Sequence, residues 1–409
     1  MNRVVITGLG CISPIGSTVS TFRESLFSGK TGISPIATVP DAPDGNPGVR
    51  FTQAAQVFDF DPTQHLDTGV TAATNRNTQF AIVAARQAAQ QSGLLQHHAP
   101  GDVAIVMGCA CGGRSTEEHE LRGLFIRDAR AHPLTIVRTM SSAGASQVSI
   151  DLRITGPTFD ISTACASATH AIGLAFHMVR SGMVTAAITG GHEAPLSWGF
   201  YRAWDSMRVV SPTRCRPFSA DRDGMTLGEG AAIFAIETLA SAQARNAPIF
   251  AELIGFGMSA DASHITQPSV EGAATAMRKA LCDANASPAE VGYINAHGTG
   301  TQANDTTEAA AIHQVFGAQA AHIPISSTKS LHGHAIGASG ALEALATVLA
   351  LQEQRLPQTT GVTTPDASLK IEVITDKPRP ADPNRPIAIS NSLAFGGLNA
   401  VIAIRTWQD

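Results

Sequence analysis

The sequence predicts an α/β fold built from two related halves, and three observations carry that expectation. Short apolar runs bounded by glycine alternate with longer stretches of helical spacing along the chain. A set of short landmarks recurs in the same order, once in each half. Hydrophobic residues make up 44% of the 409 residues and charged ones only 15%, below the roughly 25% of an average soluble chain. Such a chain buries a sizeable core and is expected to hide a broad apolar face in an obligate oligomer.

The first strand candidate, Val4–Thr7, follows Met1-Asn2-Arg3 directly, with no charged leader or apolar h-region, which points to the cytoplasm. Further strand candidates are Val103–Met107, Ala186–Thr189, Ala231–Glu237, Ala251–Phe256, Tyr293–Ala296, Ile387–Asn391 and Val401–Arg405, each a β-branched or alanine-rich run bounded by turn residues. Helix candidates between them are Gln79–Gln91, Cys165–Arg180, Glu271–Asp283, Thr307–Phe316 and Ala341–Gln352. In the last, Leu342, Leu345, Val348 and Leu349 are spaced to form one apolar face. The apolar stretch Ala171–Gly191 is broken by His177, Arg180 and glycines, so no membrane span is expected.

Duplication explains the recurring landmarks. Ser162-Thr163-Ala164-Cys165 leads to His170-Ala171-Ile172-Gly173, and Ser327-Thr328-Lys329-Ser330 leads to His334-Ala335-Ile336-Gly337. Each copy follows a strand ending in a glycine-rich loop and precedes a strand with a diglycine, Gly190-Gly191 or Gly396-Gly397. The expected halves are residues 1–250 and 251–409, placing their loops around one shared centre. Net charge of −5 argues against non-specific binding of nucleic acid. The six scattered cysteines do not form a disulfide framework.

Cys165 sits between a β-like segment and a helix rich in small residues. A thiol at a helix start feels unpaired N–H groups that lower its pKa, and the same groups can hold an oxyanion on an attached thioester. Taken alone, such a cysteine is more often an inert buried one. His297 and His334 each occupy a turn of small residues that admits a substrate, though each alone is more readily a hydrogen-bonded structural histidine. Together the three suggest a Cys/His/His centre. Lys329 and Glu343 flank His334 in sequence; they either brace the histidines as a buried pair or form a surface pair.

Other motifs carry less. Gly8-Leu9-Gly10 lacks the third glycine of a dinucleotide loop, with Ser13 in its place and Pro14 obstructing the helix. Cys109-Ala110-Cys111 has no second pair at zinc spacing, so no metal site is expected. Asp221-Arg222-Asp223-Gly224 reads as a turn braced by Arg216 or Arg222, and His97-His98 as an exposed pair in a polar loop.

The motifs Thr163-Ala164-Cys165-Ala166-Ser167, Asn295-Ala296-His297-Gly298-Thr299-Gly300-Thr301, Ser327-Thr328-Lys329-Ser330 with Gly333-His334, and Phe395-Gly396-Gly397-Leu398-Asn399 resemble one family. It is the β-ketoacyl-[acyl carrier protein] synthases of thiolase fold, of the elongating ketosynthase II type. The resemblance runs from Val4 to Asn399 and implies a duplicated αβαβα layered fold acting as a dimer. It implies an acyltransferase that joins an acyl group on Cys165 to malonyl-acyl carrier protein with loss of carbon dioxide, in fatty-acid, polyketide or aryl polyene elongation. His297 and His334 are then the pair on the malonyl thioester, and Lys329 and Glu343 their polar support. Phe395 is then the gate, its N–H joining that of Cys165 in an oxyanion hole. No cofactor is implied beyond the phosphopantetheine arm that carries the substrates.

Two departures from the family stand out. Ala394 stiffens the gate loop relative to glycine, and Leu398 removes a hydroxyl. Cys111 replaces a bulkier aliphatic residue at the acyl pocket, making room for a longer or stiffer chain, with Trp204 placed on the same pocket wall. An acidic carrier protein would dock on arginines, for which Arg76, Arg127, Arg130 and Arg208 are candidates, each equally a solvated surface residue. The expected assembly is a homodimer or a heterodimer with a chain-length factor. The alternative function, being that non-catalytic partner, conflicts with the presence of Cys165, His297 and His334. A degradative thiolase would carry a second cysteine in Leu393–Asn399, where there is none.

Overall fold

The computed structural model describes residues 1–408. Eleven strands form the main sheet: β1 (Val4–Ile12), β2 (Val103–Gly108), β3 (Thr158–Ile161), β4 (Ala186–Glu193), β5 (Gly230–Thr238), β6 (Ala251–Ala260), β7 (Val291–Asn295), β8 (Pro324–Ser326), β9 (Glu372–Val373), β10 (Ile387–Ala394) and β11 (Leu398–Thr406). The helices that matter for the site are α1 (Arg76–Ser92), α2 (Arg114–Arg127), α3 (Ala143–Leu152), α4 (Ser167–Ser181), α5 (Trp198–Met207), α6 (Val270–Asp283), α7 (Gln302–Phe316) and α8 (Ser339–Gln352).

The strand order repeats. Outward from the middle it runs β1-β5-β4-β2-β3 on one side and β6-β11-β10-β7-β8 on the other, with β9 added at the far edge. Both groups pair antiparallel, antiparallel, parallel, parallel in that order. Antiparallel pairing of Val4–Ile6 with Ala251–Leu253 joins them. The repeated topology does not align all the landmarks, however. His170-Ala171-Ile172-Gly173 lies inside α4, whereas His334-Ala335-Ile336-Gly337 lies ahead of α8. A longer connection between β8 and α8 accounts for the offset, and it is the segment that carries Lys329 and His334.

Layering follows from which faces are apolar. α4 and α8 each touch strands of both groups and fill the middle layer, α1 and α3 cover one outer face, and α6 with α7 covers the other. A helix in the middle of five layers has no wet side, and α8 is buried at every position from Ser339 to Leu351. The single apolar face expected for it is therefore wrong. Capping agrees with the sequence at the outer helices: Asn75 accepts from the Thr78 N–H at the start of α1, and Thr301 from the Asn304 N–H at the start of α7. Helices α2, α3 and α5 were not expected from the sequence; α2 mixes charged and apolar residues on all sides and buries only Gly123. Gly8 and Gly10 lie within β1, where the backbone packs against α1, and form no phosphate loop. Among the described residues no helix is long and apolar enough to cross a membrane.

The last residue of β2, Gly108, is pressed against the start of α4. A Cβ there would stand 2.2 Å from the Ala168 nitrogen and 2.3 Å from the Ser167 carbonyl carbon. Gly108→Ala is expected to lower unfolding stability by about 1–3 kcal/mol through overpacking. Urea denaturation measures this, and an unshifted midpoint would refute the tight contact.

Candidate active site

Cys165 lies in a turn between β3 and α4, two residues before the helix begins. Ala164 adopts a left-handed φ of +49°, unusual without glycine. Ser167 braces the turn: its hydroxyl accepts from the Thr163 N–H at 2.9 Å and donates to the Ala164 carbonyl at 2.6 Å. Strain of this kind costs on the order of 1–3 kcal/mol, and here it sits directly before the nucleophile candidate. The backbone N–H groups of Phe395 and of Cys165 itself point at that sulfur. The expected depressed thiol pKa is not found. Burial pushes the Cys165 thiol up to about 11, against the pull of the Lys329 ammonium and the Phe395 N–H.

His297 follows β7 and His334 lies in the connection from β8 to α8; the two rings meet edge to face, centroids 5.5 Å apart. The Lys329 ammonium donates to His297 Nδ1 at 3.2 Å and to the His297 carbonyl at 2.6 Å. An ammonium only donates, so Nδ1 carries no proton and Nε2 of His297 is left as a donor. His334 Nδ1 hydrogen-bonds the Ser339 hydroxyl at 2.6 Å, and the His334 N–H donates to the Thr226 carbonyl at 2.7 Å. Burial, then the Lys329 ammonium, holds both imidazoles well below the ordinary histidine range, so both are neutral at pH 7.

Lys329 pairs directly with Glu343 of α8, and the two side chains are 1% and 0% exposed, which excludes a surface pair. Burial pushes Glu343 up, to about 7, against the attraction of Lys329. Sequence reasoning missed a second carboxylate, Glu308 of α7. It accepts from the N–H groups of His297 and Gly298, both at 2.8 Å, and from the Asn391 amide at 3.0 Å. The visible signal was an acidic residue nearly two turns inside a helix that opens right after Gly298-Thr299-Gly300-Thr301, beyond the reach of an ordinary helix-start role.

Cys165, His297, His334 and Phe395 line one cavity of about 340 Å³, with Met207 and the 264–268 loop completing its wall. Cys111 and Trp204 do not line this cavity. They belong to an apolar cluster with Tyr201, Phe200 and Ile336, in which Trp204 stacks on the Phe395 ring. The loop of Cys111 is fixed by buried Glu193, which accepts from the N–H groups of Ala110 at 2.8 Å and of Cys111 and Gly337 at 3.2 Å. One thiol, two neutral imidazole rings and two N–H donors at the sulfur make a site for acyl transfer with oxyanion stabilisation.

Residues 1–242 match the family model "Beta-ketoacyl synthase, N-terminal domain", and residues 250–363 match "Beta-ketoacyl synthase, C-terminal domain". The chain belongs to the β-ketoacyl synthase family. It is 40% identical to Nodulation protein E of Rhizobium leguminosarum bv. trifolii, over 98% of this chain and 99% of that one. It is 38% identical to 3-oxoacyl-[acyl-carrier-protein] synthase 2 of Staphylococcus aureus, over 99% of each chain. Among solved structures, the ishigamide ketosynthase/chain length factor covers all of both chains at a TM-score of 0.93 and 33% identity. The thiolase-type layered fold expected from the sequence is the fold of these ketosynthases, and the enzyme class is that of an acyltransferase.

The arginines of this β-ketoacyl synthase separate into two groups. Arg76 is committed to a bidentate pair with Glu229 and to the Val57 carbonyl, and Arg127 lies 3.4 Å from Asp41. Arg130 and Arg208 are exposed and make no ion pair among the described residues. Arg208 directly follows Met207 at the cavity wall. His98 is not solvent-exposed: its side chain is 6% exposed and hydrogen-bonds Thr185, Glu237 and Ser241. Arg216 braces the 221–224 turn through Asp221 and Asp223.

A thiol raised to about 11 is protonated at neutral pH, and its reactive fraction grows as pH rises towards that value. Alkylation of Cys165 by a neutral haloacetamide is therefore expected to accelerate about tenfold per pH unit from 7 to 9, without levelling. Peptide mass spectrometry follows it; a plateau below pH 8 would mean that the helix start overrides burial.

Proposed function

We propose that this chain performs the decarboxylative condensation of an acyl group on Cys165 with malonyl-acyl carrier protein, releasing carbon dioxide and a 3-ketoacyl-carrier product. The observation that carries it is the convergence of Cys165, His297, His334 and the Phe395 N–H on one cavity. In the first half-reaction, the Cys165 sulfur bonds to the acyl carbonyl carbon and the carrier's C–S bond breaks. The thiol proton ends on the departing carrier thiol, so no outside base is consumed. In the second, the bond to the malonyl carboxylate breaks, carbon dioxide leaves, and the electron pair becomes a thioester enolate. Neutral His297, donating through Nε2, and His334 hold that enolate oxygen. The enolate carbon then bonds to the acyl carbonyl carbon, and the oxyanion rests on the N–H groups of Cys165 and Phe395. As it collapses, the sulfur leaves with its electrons and takes one proton from water, the proton consumed by the reaction as a whole.

Two neutral donors serve this task by hydrogen bonding alone. The enolate forms by loss of carbon dioxide, not by deprotonation, so nothing requires a base at that oxygen. Lys329 and Glu343 act as positioning residues behind His297. The carrier is the partner assigned to the cavity mouth, with Arg208 as the docking charge; no cofactor enters the scheme. A second chain of the same fold is the partner assigned to the face where Phe125, Ile126, Ile136 and Ile150 are 76%, 67%, 76% and 69% exposed. That edge includes β3, which has a strand neighbour on one side only. The compartment assigned is the cytoplasm.

Intact-protein mass spectrometry with a panel of acyl-carrier proteins tests the reaction. Wild type is expected to gain one acyl mass on Cys165, and Cys165→Ala none. His297→Ala and His334→Ala are expected to gain the acyl mass yet lose about 100- to 1000-fold in decarboxylation. Wild-type protein that never acquires an adduct would end the condensing assignment. For docking, Arg208→Glu is expected to raise KM for carrier-bound substrate roughly tenfold, a change of about 1.4 kcal/mol. The same variant should move KM for a small thioester mimic by less than about twofold, since the mimic lacks the acidic carrier surface. Equal shifts for both substrates would remove Arg208 from the docking site.

A further inference from the structure

The ring of Phe395 lines the cavity and is stacked on a side chain that does not. The Trp204 indole of α5 stacks on it with centroids 5.9 Å apart and planes 20° from parallel. Phe200 backs the indole at 5.9 Å and 59°, and Cys111 and Ile336 lie in the same apolar cluster. Directly after Phe395 come Gly396 and Gly397, with φ of +81° and +69°. Left-handed glycines are backbone positions that reorient without a Cβ penalty. Three backbone hydrogen bonds hold this pivot and must loosen when it turns: the Gly396 N–H donates to the Ile265 carbonyl at 2.7 Å, the Gly397 N–H to the Ala394 carbonyl at 3.0 Å, and the Asp261 N–H to the Gly397 carbonyl at 2.9 Å. The Phe395 N–H that points at the Cys165 sulfur belongs to the same short segment.

We propose that Trp204 is the latch of the Phe395 gate, a positioning residue that acts on the reaction only through Phe395. While the two rings are stacked, the Phe395 N–H is held on the sulfur and the ring separates Cys165 from the apolar cluster behind it. An acyl chain delivered to Cys165 reaches that cluster by displacing the ring, which breaks the stack and swings the segment on its two glycines. When the chain is seated, the N–H must return to the new carbonyl oxygen. Trp204 thus sets how often the gate stands open before acylation. The inference rests on the condensing function proposed above and adds to it the residue that controls acyl loading. An offset aromatic stack is worth roughly a 2- to 10-fold bias in a two-position equilibrium.

Trp204→Ala, Trp204→Phe and wild type distinguish the latch. The readout is the ratio of two rates in each protein, acyl transfer to Cys165 over decarboxylation of malonyl-carrier protein. The latch predicts that Trp204→Ala raises this ratio roughly 2- to 10-fold, and that Trp204→Phe, which keeps a ring to stack on, returns it towards wild type. Acylation should also change the tryptophan emission of wild type as Phe395 leaves the indole. That change should vanish in Trp204→Phe, which retains Trp198 and Trp407 as internal controls. Wild type that acylates normally, with the same ratio in all three proteins or the same emission change in Trp204→Phe, overturns the latch alone. Absence of any adduct on wild-type Cys165 overturns the condensing function and the latch with it.

Discussion

A single buried ammonium governs the site. Lys329 is closed off from water between His297 and Glu343, and each of its contacts has a separate consequence. Pairing with Glu343 makes a charge tolerable at that depth, because removing one partner of a buried pair typically costs about 3–5 kcal/mol. Donation to His297 Nδ1 decides which ring nitrogen carries the proton. The positive field lowers the affinity of both imidazoles for a second proton and opposes the burial that raises the Cys165 thiol. One charge therefore acts on three side chains that come from distant parts of the chain, second in each only to burial.

Around that charge, buried carboxylates take the place of missing backbone partners. Glu308 collects the N–H groups of His297 and Gly298, and Glu193 collects those of Ala110, Cys111 and Gly337. Turns with no ladder of their own are thereby fixed to within hydrogen-bond tolerance. Glu193 joins a turn after β2 to the turn between β8 and α8, so both groups of strands contribute to one rigid surround. Burial pushes Glu193 up to about 7, and its N–H donors work against that rise. The Phe395–Gly397 turn is tied too, through backbone bonds to Ile265, Ala394 and Asp261, and its two left-handed glycines are where the proposed gate turns.

Strands were legible because their residues are buried on both faces and read as continuous apolar runs. Every strand expected from the sequence is present, and several extend two to five residues further, as Val4–Thr7 does to Ile12. Helix α8 was found, but its surroundings were misjudged: spacing reports which residues are apolar, and Ala and Gly on the remaining face are small enough to be buried as well. His98 was misplaced for a similar reason. A polar loop sequence says nothing of a carboxylate, Glu237, that arrives from β5 to receive it. Glu308 was overlooked because its partners, the N–H groups of His297 and Gly298 and the Asn391 amide, meet it only through the fold.

The sequence by itself determined the layered α/β class, the turns that present Cys165, His297 and His334, and the family. These depend on local spacing and on short motifs whose meaning survives without coordinates. Only the tertiary structure decided the protonation of those groups and the neighbours of the gate. A thiol next to a helix start was expected to ionise readily, yet desolvation outweighs the helix because Cys165 is only 6% exposed. Likewise nothing local to Trp204 or Phe395 brings two rings together across nearly two hundred residues. Burial and long-range contact arise from how layers stack, and no window of sequence contains them.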